Sequence, residues 1–186
     1  MKMLDRQAAF ELLGQYTKSE SLIKHALAVE VCMRAYAHKQ GEDVEKWGIV
    51  GLLHDFDYEM YPNPPDHPEK GAGILKEAGY PEEVLYAIKS HAEWTHCPRK
   101  SLLDKALFAC DELAGFITAV ALVRPDKKIL GLEARSVKKK LKDKAFARSV
   151  RREDIASGAL ELGIELDEHI AFCIRAMESI ADKLGL

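Results

Sequence analysis

The chain has 186 residues, 47% of them hydrophobic and 31% charged, and its 27 basic and 30 acidic side chains leave a formal charge of −3. That balance excludes a disordered or collagen-like chain and gives no global polyanion-binding surface. The length is one domain's worth, residues 1–186, and buries roughly 70% of the unfolded surface, so any metal is expected to serve chemistry rather than hold the fold. Apolar residues recur at helical spacing almost throughout, with no convincing period-two alternation, which predicts an all-α single-domain helical bundle. A first helix fits Asp5 to Tyr16; its charges, Asp5, Arg6 and Glu11, interrupt the apolar run a signal peptide needs, so a cytoplasmic location is expected. A second starts near Ser19 or Ser21 and stops at Gly41, and a third, capped by Asp43, runs to about Asp55. Pro62, Pro64, Pro65 and Pro68 then impose a loop. Pro68 and Pro81 suit the first turns of two short helices, with Gly79 stopping the first of them. A long helix is expected from Ser101 to Val123, whose uncharged stretch Leu113–Val123 is too short for a membrane span, so no membrane partner is expected. A basic segment near Ser136–Val150, a short helix near Glu153–Leu162 and a closing helix from Asp167 to Leu184 complete the chain. Cys32, Cys97, Cys110 and Cys173 form no Cys-x-x-Cys pair and read as reduced thiols.

The informative positions are polar residues on apolar stripes. His25 lies between Leu22 and Val29 on the second helix; Trp47, Val50 and Gly51 lead to His54, followed at once by Asp55. On the long helix the stripe Leu103, Leu107, Ala114, Thr118 includes Asp111, with no Lys or Arg three or four positions away. A buried carboxylate without a partner costs several kcal/mol, so Asp111 needs a cation, an ion-pair partner or hydrogen-bond donors. One divalent ion would satisfy His25, His54, Asp55 and Asp111 together, because neutral imidazole nitrogens and carboxylate oxygens are ligands that Zn, Fe and Mn accept. Each residue alone also fits a satisfied core histidine or a buried ion pair; the conjunction carries the metal reading.

The order His25, His54-Asp55, Asp111 resembles the HD superfamily of metal-dependent phosphohydrolases, named for that His-Asp pair. The flanking segments HALAVEVCMRAYA, GIVGLLHD, HPEKGAGIL, AIKSH and LDKALFACDEL fit as well, and the likeness covers about Ser21 to Gly115. It is similar to the small stand-alone bacterial HD hydrolases and to those that split diadenosine tetraphosphate. The resemblance implies an HD core over 19–123 with a helical extension, 131–186, packed on it. It implies that His25, His54, Asp55 and Asp111 ligate one ion. In the dinuclear variety Asp55 bridges to a second ion held by His67 and His91. The cofactor is then one or two divalent ions, Fe, Mn, Mg, Co or Zn. His96 and Cys97 lie in a turn nearby. Gly79-Tyr80-Pro81 matches letters of the cyclic-di-GMP phosphodiesterase branch but precedes His91 instead of following it, and reads as helix punctuation.

The function expected is hydrolysis of a phosphate ester or anhydride of a nucleotide or other small phosphorylated compound by metal-activated water. The alternative is a non-catalytic nucleotide- or metal-sensing HD module. Asp57 and Glu59, just after the HD pair, are the nearest carboxylates for proton transfer beside Asp55. Lys89, Arg99 and Lys100 are placed to meet substrate phosphates. The run from Arg135 to Arg152 holds nine basic residues, Lys139 and Lys140 among them, against one acid, Asp143. It reads chiefly as a solvated helix face, with phosphate contact by Lys139 and Lys140 as a second role. Only Phe146 interleaves it, so a nucleic-acid partner is not expected, although an RNA-binding helical protein is the third reading.

Overall fold

Asp5, Asp43 and Ser101 cap helices with their side chains, whereas Ser19 stands at the start of the second helix without a side-chain capping bond. In the computed structural model, which describes residues 5–186, Asp5 accepts the Gln7 N–H at 3.0 Å and opens α1, Arg6–Tyr16. Asp43 accepts the Lys46 N–H at 3.0 Å and opens α3, Val44–Leu53, after α2, Glu20–Gln40, has ended at Gly41 in the left-handed conformation, φ 71°. Then follow α4, Asp66–Glu77; α5, Glu82–Ser90; a single 3₁₀ turn, Glu93–Thr95; and α6, Leu102–Leu122, opened by a reciprocal Ser101/Asp104 capping box. The last third contains α7, Ala134–Leu141; α8, Arg152–Glu161; α9, Leu166–Glu178; and α10, Ala181–Leu184. The fold is all-α, with no strand among the described residues.

The core forms where α2, α3 and α6 meet, around Val29, Met33, Ile49, Leu52, Leu53, Leu107, Leu113 and Ile117, all fully buried. Each such side chain contributes about 1.5–3 kcal/mol by leaving water. Gly51 lets α3 press on α2: a Cβ there would lie 3.0 Å from the Glu30 backbone. One helical turn on, the same approach delivers His54 to the α2 surface beside His25. The C-terminal helices close over α6 and α2. Gly158 of α8 sits so close to α6 that a Cβ would lie 2.6 Å from Ala109 Cα. His169 of α9 is a satisfied core histidine: its Nε2–H donates to Ala109 O at 2.8 Å and its Nδ1 accepts the Tyr36 hydroxyl at 2.7 Å, tying α9 to α6 and α2.

Several boundaries differ from the sequence reading. The third helix stops at Leu53, with His54 as its C-cap. Pro81 caps α5 from outside instead of joining its first turn. His67 keeps an extended backbone, φ −83° and ψ 135°, as a residue before proline must, so helical turns begin at Pro68. The basic segment is helical only to Leu141. Closely spaced like charges disfavour continuing it, and the Arg152 guanidinium takes up carbonyls that a helix would have used. It donates to Leu141, Asp143, Phe146, Ala147 and Val150. The closing helix breaks at Ser179–Ile180, where the Ser179 hydroxyl donates back to Ala176 O at 2.7 Å. All four cysteines are free, and no helix among the described residues is long and apolar enough to cross a membrane. The first four residues of the 1–186 span, part of the stretch read against a signal peptide, lie outside the described residues.

Candidate metal centre

Five helix segments aim six side chains at one point. His25 comes from the first turns of α2, His54 and Asp55 from the end of α3, His67 from the start of α4, His91 from the cap of α5 and Asp111 from the middle of α6. One ligand atom each from His25, His54, Asp55 and Asp111 falls within 4.8 Å of the others, as does one each from Asp55, His67 and His91. Asp55 belongs to both groups. Its Oδ2 lies 3.5 Å from His54 Nε2, while its Oδ1 lies 3.2 Å from His67 Nε2 and 3.3 Å from His91 Nε2.

Hydrogen bonds fix which nitrogen faces inward. The Nδ1–H of His54 donates to Gly51 O at 2.8 Å, that of His91 to Ile88 O, and that of His67 to Asp57 Oδ1 at 2.8 Å. Each Nε2 therefore points its lone pair at the cluster, the arrangement by which outer partners orient metal-ligating imidazoles. His54 Nε2 is fully buried and has no hydrogen-bond partner; its neighbours are Asp111 Oδ1 at 3.3 Å and Asp55 Oδ2 at 3.5 Å. A lone pair facing carboxylate oxygens is repulsive, and only a cation between them resolves it. Protons are one such cation. Burial opposes charge on His54, but Asp55 and Asp111 outweigh it and push its pKa up to about 9. His67 is raised to about 9 as well, burial being overcome by Asp55 and Asp57. Burial would raise the two carboxyls, but His54, His67 and His91 hold Asp55 well below the usual range, and His54 and His25 do the same for Asp111. A divalent ion answers the same demand with one particle per group of ligands, and the nitrogen and oxygen donor set suits it.

A family model for the HD domain matches residues 22–115, half of the chain. This chain belongs to the HD domain family. HD domains bind divalent metal ions and make up a superfamily of metal-dependent phosphohydrolases, and this one brings together the side chains able to hold such ions. Curated relatives include Ribonuclease Y of Desulfotalea psychrophila, 33% identical over 100 residues, which covers 52% of this chain and 18% of the relative. Ribonuclease Y of Nitratidesulfovibrio vulgaris is 31% identical over 113 residues, 56% of this chain and 21% of the relative. That of Oleidesulfovibrio alaskensis is 29% identical over the same length. The chain thus spans about a fifth of the length of these relatives. No solved structure matches it.

The HD domain's other expected site residues are distributed differently. Asp57 is fully buried and both its oxygens are engaged, Oδ1 with His67 and Oδ2 with the Gly71 N–H at 2.8 Å. It holds His67 in place and does not face the cleft. The Glu59 carboxylate accepts the N–H groups of Lys18 and Ser19 at 2.7 and 2.9 Å, satisfying the start of α2, and does not line the cleft. Lys89 pairs with Glu69 at 3.1 Å, and Arg99 pairs with Glu161 at 2.8 Å while lying over the Phe108 ring. Lys139 and Lys140 line a separate groove beside Val120 and Arg124, with Lys140 over Phe146. None of these four cations borders the cleft above the HD pair, nor do His96 and Cys97; Gly79, at φ 82°, is helix punctuation.

That cleft is walled instead by Tyr58, Trp94, Glu93, Glu112, Arg151 and Asp154. Partial burial and the neighbouring charge of Asp111 push Glu112 up to about 7. Its position on α6 beside Asp111 was the available signal for it; Arg151 stood near the end of the basic run read for phosphate contact, and the folding of residues 142–150 is what brings it to the cleft. Asp57→Ala leaves the His67 N–H and the Gly71 N–H without their acceptor. It is expected to weaken metal binding at the His67/His91 end by about 10–100-fold, read by calorimetric titration with Mn(II). Unchanged affinity would show that Asp57 does not orient His67.

Proposed function

We propose that the chain is a metal-dependent phosphohydrolase that cleaves a phosphate ester or anhydride of a small phosphorylated compound, a nucleotide being the leading candidate. In this reading His25, His54, Asp55 and Asp111 hold one divalent ion and Asp55, His67 and His91 a second, in a cytoplasmic protein whose thiols stay reduced. The observation that carries it is the buried, unpartnered His54 Nε2 aimed at two carboxylate oxygens. Such ions, when bound, activate water for attack at neutral pH and draw charge from the phosphoryl oxygens. The chain's own side chains do the positioning. Nδ1–H bonds from His54, His67 and His91 keep three Nε2 atoms converged without reorganisation, and Asp55 spans both ligand groups with its two oxygens. Tyr58, Trp94 and Arg151 line the cleft beside the ligand cluster.

The test is to strip the protein with chelator and reload it with Mn(II), Fe(II) or Co(II). Phosphate release from nucleoside mono-, di- and polyphosphates is then measured. Ion-dependent release from at least one compound is expected; no release from any would favour the non-catalytic sensing module.

The stripped protein also carries a pH signature. Its His54 and His67 stand at about 9 against an ordinary 6.5. A raised folded-state pKa contributes stability that is complete below the unfolded value and disappears as pH climbs through the folded one. The thermal midpoint of chelated protein is therefore expected to fall between pH 6.5 and 9, and that of reloaded protein to fall less. Equal midpoints for chelated protein at both ends of that interval would contradict the charge distribution described for the cluster.

A further inference from the structure

Once its metal-facing residues are set aside, the cleft is short of positive charge. Arg151 is the single cation among its lining residues, and it is already engaged: its guanidinium bonds Glu93 Oε2 at 2.7 Å and lies 3.1 Å from Asp154 Oδ2. Its backbone N–H points to Glu112 Oε2 at 3.3 Å. Carboxylates therefore ring the wall that a long anionic substrate would have to cross. The other cations near the HD segment are spent in pairs elsewhere, as with Lys89 on Glu69 and Arg99 on Glu161. The cleft is also small, about 260 Å³, at the lower edge of the roughly 300–1,000 Å³ of ordinary small-molecule sites.

Two partly exposed rings line the same cleft. Trp94 donates its Nε1–H to His67 O at 2.8 Å, and Tyr58 stands edge-on to the His67 ring at 5.4 Å. Both are about two-fifths exposed, Tyr58 39% and Trp94 42%, and they offer flat apolar surface beside the ligand cluster.

Resting on the hydrolase reading above, we propose that this cleft selects a phosphomonoester of an uncharged, ring-bearing alcohol such as a nucleoside. Arg151 meets the phosphate, while Glu93 and Asp154 turn away polyphosphates and RNA strands. The ring lies against Trp94 and Tyr58. Arg151 and Asp154 lie beyond residues 22–115 while Glu93, Trp94 and Tyr58 lie within them, so the selecting wall is built jointly by the matched HD segment and the region that follows it.

Binding tests this without requiring turnover. Non-hydrolysable phosphonate analogues of a nucleoside monophosphate and of the matching triphosphate, and a short RNA, are titrated calorimetrically into Mn(II)-loaded protein. The monophosphate analogue is expected to bind at least about tenfold tighter than the other two. Glu93→Gln and Asp154→Asn should each narrow that gap by improving the triphosphate analogue. Arg151→Ala should weaken the monophosphate analogue about tenfold with metal content unchanged. Triphosphate or RNA binding as tight as the monophosphate in the unaltered protein would overturn the proposal, as would a ratio insensitive to both carboxylate variants. Failure to release phosphate from any substrate would instead overturn the hydrolase reading, while the binding ratio still decides whether the wall selects by charge.

Discussion

Asp55→Ala is expected to abolish divalent-ion binding and phosphate release together while leaving the helical content unchanged by circular dichroism. Asp55 is the one residue common to both ligand groups, its two oxygens facing His54 on one side and His67 and His91 on the other. Its loss therefore disables both groups, far beyond the roughly 10–100-fold loss typical of an outer partner such as Asp57. The fold should persist because Asp55 lies just beyond the end of α3, whereas the core of Val29, Met33, Leu53 and Leu107 is held by apolar burial. His54→Ala should act in the same direction, since it deletes the one buried side-chain nitrogen among the described residues that has no hydrogen-bond partner. Activity retained by both variants would refute the assignment of this cluster as the reactive centre.

The second large effect concerns stability. Gly158→Val places a branched side chain where even a Cβ would lie 2.6 Å from Ala109 Cα and 3.0 Å from its Cβ. The obstacle is the α6 backbone, which cannot rotate away, so α8 must be displaced. A cost of about 3 kcal/mol is expected, and for a chain of this size that lowers the thermal midpoint by about 6–12 °C. Because α8 begins at Arg152, directly after Arg151, the displacement also withdraws the cleft wall. The variant should still bind ions below its midpoint, since no ligand lies on α8. A midpoint within 2 °C of the unaltered protein, read by scanning calorimetry, would show that α8 does not pack as described.

What the sequence revealed and what it hid divide along physical lines. His25, His54, Asp55 and Asp111 were visible because a polar residue on an apolar helical stripe is costly, and cost leaves a periodic trace. His67 and His91 were reached through the resemblance alone. Asp57 and Glu59 do not line the cleft, because nearness in sequence says nothing about direction: one carboxylate turns inward to His67, the other reaches 40 residues back to Ser19. The cations expected to meet phosphate are paired elsewhere for a related reason. Lys89 and Arg99 have acidic partners 20 and 62 residues away, distances no local pattern encodes. Arg151 reaches the cleft only because Arg152 gathers the carbonyls of residues 141–150 into a compact turn, a long-range consequence of one guanidinium.

The most direct test of the central claim is the metal content of purified, chelator-stripped protein after reloading with Mn(II) or Fe(II), measured by plasma mass spectrometry beside Asp55→Ala and His54→Ala. Two ions per chain are expected in the unaltered protein, one for each ligand group, and none in Asp55→Ala. An unaltered protein that binds no ion, or an Asp55→Ala variant that binds as much as the unaltered chain, would contradict the account.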